Sequence, residues 1–266
     1  MKLPIGRLIA LAGMGAGMLI VAMPAAAQIL ETETARPVGK GILETSGNFE
    51  YQTSSEGHEV ALPFAIEYGI SDRLEFLVEP VAYTAIRPNV GPQATGAGDL
   101  ETTLTYLFHR ETGAPALALA GEVKFPTTND TLISTGKTDY TAYLIGSKRF
   151  GRLDTHADIG YTVVGKPAGA QLKNIWNFAF GWERTLGSST ELYGEFIGNT
   201  AASATPEASG PPPPGTTSPE APSGEFVTSL GIAQYVVPSL RLSLGLSIDN
   251  NSAVLFRPGF TLRTHQ

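Results

Sequence analysis

Two clusters of titratable side chains invite a chemical reading of this sequence. In GAGDLETTLTYLFHR, residues 96–110, Asp99 and Glu101 stand at alternate positions with His109 close behind. In DTHAD, residues 154–158, His156 lies between Asp154 and Asp158. Paired carboxylates are the equipment of a general acid and base, provided the two converge across one site. An Asp–His–Asp alternation would share one face of a strand and could offer ligands to a metal. Acids recur in nearly every segment, however, which suits a solvated wall better than a catalytic pair. The four histidines, at 58, 109, 156 and 265, lack metal-ligand spacing, and the absence of Cys removes any thiolate zinc site. Gly136-Lys137-Thr138 imitates the end of a P-loop, but Thr131 stands where its first Gly is required. Neither a metal nor a cofactor is expected. What the carboxylates do depends on the elements that position them.

The first of these elements is a leader. Lys2 and Arg7 precede an apolar run from Leu8 to Met23, and Pro24 with Ala25-Ala26-Ala27 follows. Basic start, apolar stretch and small-residue ending are the parts of a secretory signal peptide, expected to end at Ala27. Without Lys2 and Arg7 the chain carries 16 Lys and Arg against 25 Asp and Glu. That surplus argues against a nucleic-acid partner. An exported chain without Cys must hold together by backbone pairing and packing alone. No second apolar run approaches the roughly 18 residues of a spanning helix.

The hydrophobic pattern has period two. In RLSLGLSID, from Arg241, the residues Leu242, Leu244, Leu246 and Ile248 alternate with Arg241, Ser243, Gly245, Ser247 and Asp249. Val60, Leu62, Phe64, Ile66, Tyr68 and Ile70 likewise alternate with Glu59, Ala61, Pro63, Ala65, Glu67 and Gly69. A strand between oil and water must alternate in this way. The pattern predicts strands near 41–52, 59–70, 73–87, 99–110, 114–125 and 140–150. It predicts more near 153–164, 174–184, 190–198, 225–236, 241–249 and 253–263. Each has about 9 to 15 residues, longer than a soluble strand of ~5–6 and enough to cross a bilayer at a tilt.

Short turns at 70–72, 111–113, 151–152, 186–189 and 237–240 alternate with longer joins at 88–98, 126–139, 165–173 and 201–224. Bacterial outer-membrane barrels show this asymmetry, with the short turns in the periplasm. The Pro-rich stretch 201–224 has the composition of a linker. Only three strands follow it, too few for a second core, so it is expected as an extracellular loop of one domain. The expected organisation is a leader over 1–27, a periplasmic segment over 28–40 and an outer-membrane barrel over 41–266. The fold class is thus all-β, an antiparallel up-and-down barrel of about 12 strands.

Charge decides which face meets lipid. In 73–87 the polar face carries Arg73, Glu75, Glu79 and Arg87, while Leu74, Phe76, Val78 and Ile86 are assigned to the other. A charged side chain on a barrel's lipid face costs about 2–4 kcal/mol at the midplane. The polar face must be the lumen. Its expected lining residues are Glu75, Glu79, Asp99, Glu101, Glu122, Lys124, Asp154, His156, Asp158, Glu191 and Glu195. Their acidic excess favours cations or neutral solutes over anions. A soluble sandwich or lipocalin-like barrel would turn the apolar face inward, and fits the long strands and charged face less well.

The runs SDRLEFLVEP, GAGDLETTLTYLFHRE, PALALAGEVKFPT, GKTDYTAYLIGSKRFG and DTHADIGYTVVG together resemble the transporter family named for the MetA pathway of phenol degradation. The resemblance extends from about Gly41 to Arg263 and is most specific at Gly98-Asp99-Leu100 and Pro126. It implies an outer-membrane β-barrel of Gram-negative bacteria, with passage of small, aromatic or hydrophobic compounds. The C-terminus departs from a common outer-membrane pattern, because it ends Thr264-His265-Gln266.

The sequence therefore predicts a non-enzymatic channel whose partners are outer-membrane lipid, the barrel-assembly machinery and small solutes. A structural or adhesive barrel is the alternative without transport. An outer-membrane lipid hydrolase is the enzymatic one, and needs a Ser–His pair oriented by a third polar group.

Overall fold

The computed structural model describes residues 30–128, 130, 132–168, 172–202 and 224–264. The expected leader and nearly all of the Pro-rich stretch lie outside the described residues. Among the described residues fourteen strand segments form one sheet. Two pairs of segments continue each other, giving a wall of twelve strands. β1 is Leu43–Asn48 with Glu50–Ser54, β2 Gly57–Ser71, β3 Leu74–Pro88, and β4 Ala94–Gly96 with Leu100–His109. β5 is Ala116–Phe125, β6 Asp139–Phe150, β7 Leu153–Val163 and β8 Ile175–Thr185. β9 is Thr190–Asn199, β10 Phe226–Val237, β11 Leu240–Asp249 and β12 Val254–Arg263. Each strand pairs antiparallel with the next, and β12 returns to β1, Glu44 opposite Arg263 and Tyr51 opposite Phe256. Closure removes the sheet edge, the condition for a β-structure in lipid.

Alternation is what makes the wall two-faced. Leu230, Leu244, Leu246 and Ile248 point outward and are exposed, whereas Glu67, Glu75, Glu195 and Arg241 point inward and are buried. Aromatic side chains ring both ends. Tyr68, Tyr106, Phe108 and Phe150 stand near the short turns, and Tyr140, Tyr161, Trp176 and Phe226 near the long loops. Tyr161 and Trp176 pack with ring centroids 4.9 Å apart. From Tyr140 to Phe150 the strand rises about 33 Å, or about 25 Å along the barrel axis at a tilt of about 40°. That matches the apolar band of outer-membrane barrels, about 25 Å tall. Leu244, mid-strand between Ile232 and Pro258, tests this face. Leu244→Arg is expected to lower the unfolding free energy in lipid vesicles by about 2–4 kcal/mol, measured by guanidinium titration; no loss would place this face in water.

Two features depart from the sequence expectation. The register shifts between Leu62 and Pro63 opposite Tyr83 and Val81, which leaves Ala82 as an extra residue on β3. Beyond that bulge the alternation on β3 reverses, because an inserted residue turns every later side chain to the other face. Ile86, assigned to lipid, instead lines the interior beside Thr84.

The second departure is larger. Residues 28–40 were expected outside the barrel; residues 30–38 lie inside it. Ala35 is fully buried, and Leu30, Thr32 and Val38 are nearly so. A turn through Gly39 (φ 100°) and Gly41 (φ 77°) passes the chain from the interior to the head of β1. Both angles are left-handed and suit Gly. The physical reason for the inward course is mutual need. The segment's N–H groups have no strand partner, and the inner wall presents carboxylates that need donors.

Candidate solute pathway

The segment binds the wall with its backbone. The N–H of Glu31 and of Thr32 donates to Glu195 Oε2 at 2.8 and 3.1 Å. The Glu33 N–H donates to Asp158 Oδ2 at 2.7 Å, Ala35 to Ser147 Oγ at 2.9 Å and Val38 to Glu75 Oε2 at 2.5 Å. Gly181 makes room for it. A Cβ there would meet Leu30 Cδ1 and Thr32 Cβ at 3.0 Å.

Side-chain charges secure it near the short turns. Arg36 pairs with Glu111 at 2.8 Å and also with Asp154. Partial burial would raise the Glu111 carboxyl. The Arg149 backbone N–H, with Lys148 and Arg36, outweighs burial and holds it below its ordinary 4.5. Deeper inside, Arg257 pairs with Glu50 at 2.7 Å and with Glu31.

The eleven residues expected in the lumen fall into two groups. Glu79, Asp99, Glu101, Glu122, Lys124 and Asp158 line one cavity of about 620 Å³, on the long-loop side of the segment. Lys124 pairs there with Asp139 at 2.5 Å and lies 3.8 Å from Asp99. Glu122 accepts a hydrogen bond from Thr141 at 3.1 Å. Asp99 fastens the loop before β6, accepting from the Thr127 N–H at 3.2 Å and from Ser134 Oγ at 2.5 Å.

Glu75, Asp154, His156, Glu191 and Glu195 form the other group and are buried. Glu75 and Glu195 hold the segment. Asp154 is paired with Arg149 at 2.8 Å as well as with Arg36. Glu191 lies 2.8 Å from Arg241, which also donates to Glu183 at 2.9 Å. The lining named from the sequence leaves out the basic partners, Arg36, Arg241 and Arg257, and the acids Glu31, Glu33 and Glu50. For Arg241 and Arg257 the signal was available, since both fall on the polar face of an alternating strand.

A serine and a histidine do meet across β6 and β7. Ser147 Oγ lies 2.9 Å from His156 Nδ1, and His156 Nε2 lies 4.0 Å from Asp154 Oδ1. The last distance exceeds a hydrogen bond, and both Asp154 oxygens are engaged by arginines. Ser147, 1% exposed, already accepts the Ala35 N–H. The pair anchors the inner segment and leaves no orienting acid free for a nucleophile.

No family model and no curated protein sequence matches the chain. The COG4313 outer membrane channel from Pseudomonas putida F1 is similar in structure, with a TM-score of 0.62 at 11% identity, covering 88% of this chain and 100% of that one. The KdgM porin is similar with a TM-score of 0.54 at 8% identity, covering 83% and 99%. The same porin in complex with disordered oligogalacturonate gives the same values. At these identities the likeness speaks for the fold alone, a closed 12-strand antiparallel barrel resembling those of outer-membrane channels.

Proposed function

We propose that this chain is an outer-membrane channel for small solutes, narrowed by its own N-terminal segment and selective against anions. The observation that carries the reading is the acidic cavity of about 620 Å³ enclosed by a wall whose outer face is apolar. In this reading residues 1–27 are the export leader, the short turns face the periplasm and 201–224 is an outer loop. Of the eleven lumen residues named from the sequence, the six lining the cavity act by charge, because a narrow, weakly screened passage makes a fixed charge felt by a passing ion. Of the other five, Glu75 and Glu195 hold the constriction. A polyanion such as the oligogalacturonate seen with the KdgM porin would be repelled here. The sequence resemblance to the phenol-pathway family supports aromatic or hydrophobic cargo, and Tyr143, Val81 and Ile133 give the cavity apolar surface.

Planar-bilayer recording of the refolded protein under a salt gradient tests this. Discrete conductance with a cation-selective reversal potential is expected. Silence in the bilayer together with no solute uptake into liposomes would remove the channel and favour a structural barrel.

A further inference from the structure

The cavity is built on three sides from different parts of the chain. Its floor is the inner segment at Leu30, Glu31 and Glu33, its wall is the barrel, and Ile133 reaches into it from the loop before β6. Ser134 fixes that loop to Asp99. The volume, about 620 Å³, falls in the range of small-molecule sites.

Its charges do not balance internally. Nine carboxylates and two cations line it, and both cations are already held. Lys124 is paired with Asp139 and Asp99, Arg257 with Glu50 and Glu31. Asp158, only 8% exposed, spends Oδ2 on the Glu33 N–H. Its other oxygen, Oδ1, is buried with no hydrogen-bond partner among the described residues. A buried acceptor left without a donor is a standing cost that a ligand's N–H would relieve. Glu33, on the floor, stands within electrostatic reach of Asp158, Glu79 and Glu122.

We infer that this cavity binds a small organic cation, an amine whose ammonium meets Asp158 Oδ1 and Glu33 while its apolar body lies against Tyr143, Val81 and Ile133. The inference rests on the channel reading for access to the site. A metal ion fits less well, because no group of three His, Asp or Glu among the described residues is placed to hold one. A bare ion would also leave the apolar wall unfilled. A neutral solute would offer these carboxylates no positively charged hydrogen-bond donor. An ammonium carries a compact positive charge with donors for several carboxylates at once.

Calorimetry of the full-length refolded protein with benzylamine, benzyl alcohol and benzoate separates the cases. Benzylamine is expected to bind saturably at one site, benzyl alcohol about tenfold or more weaker, and benzoate not at all; tenfold is about 1.4 kcal/mol. Asp158→Asn is expected to weaken benzylamine about tenfold and leave benzyl alcohol unchanged. Should that variant fail to fold, Glu33→Gln, outside the wall, serves the same comparison. Equal affinity for amine and alcohol overturns the inference, as does indifference to both substitutions. Glucose-driven liposome swelling keeps the two proposals apart. Swelling without amine binding removes the site and spares the channel; amine binding without swelling does the reverse.

Discussion

Removing residues 30–38 is expected to raise the single-channel conductance several-fold while the twelve strands still assemble. The segment occupies the short-turn half of the interior and is held by five backbone N–H donors, four of them to wall carboxylates. Hydrogen bonds to charged groups are worth about 1.5–3 kcal/mol each when a partner is lost to a dry site. Here the vacated space admits water, so Glu75, Asp158 and Glu195 exchange one set of donors for another. The wall's own ladder is untouched, because the segment contributes no strand to it. Planar-bilayer recording reads the conductance, and heat-modifiable gel migration reads the barrel. An unchanged conductance with an intact barrel would show that the constriction lies elsewhere.

The second large effect concerns Arg241, 1% exposed and placed between Glu183 and Glu191. Its guanidinium also lies 5.8 Å from the centre of the Tyr235 ring. Arg241→Met keeps most of the bulk and removes the charge, leaving two buried carboxylates side by side. Breaking a buried ion pair by removing one partner costs about 3–5 kcal/mol, because the other is stranded. A loss of that size in guanidinium unfolding is expected. Adding Glu183→Gln and Glu191→Gln should recover most of it, since the stranded charges are then gone. A loss below about 1 kcal/mol would mean that water reaches this triad and screens it as at a surface.

Except at Ala94–Gly96, which the sequence assigns to a loop, the wall was legible in the sequence to within a residue or two, and for a physical reason. Lipid on one face and water on the other impose alternation on every strand, so Leu242 through Ile248 announce their own orientation. The segment 140–150 alternates poorly because Tyr143 and Ile145 point inward, where Ile145 packs against Ala35, Leu107 and Ala118. What the pattern could not hold was its own interruption. One extra residue at Ala82 turns Ile86 inward, and only Pro63 and Pro80, of a residue type that sheets confine to edges and bulges, mark the place.

The inner segment was illegible for a different reason. Residues 30–38 bind through main-chain N–H groups, which every sequence possesses. Arg36 gave the one side-chain hint, the single cation within 30–38, ahead of an acidic wall. Ser147 and His156 meet because β6 and β7 bring opposite positions together, a relation that spacing along the chain conceals.

Two holds on the inner segment come from β12, far along the chain. Arg257 grips Glu31, and Arg263 donates to the Val38 carbonyl at 2.6 Å, across 226 and 225 positions. Residues of β12, synthesised long after the inner segment, therefore finish its socket. Such distant contacts carry the full entropy of loop closure and form late. The same strand closes the wall on β1 and holds the residues that thread the interior, serving as both latch and clasp. A chain truncated before β12 would lose the seam and these two holds together.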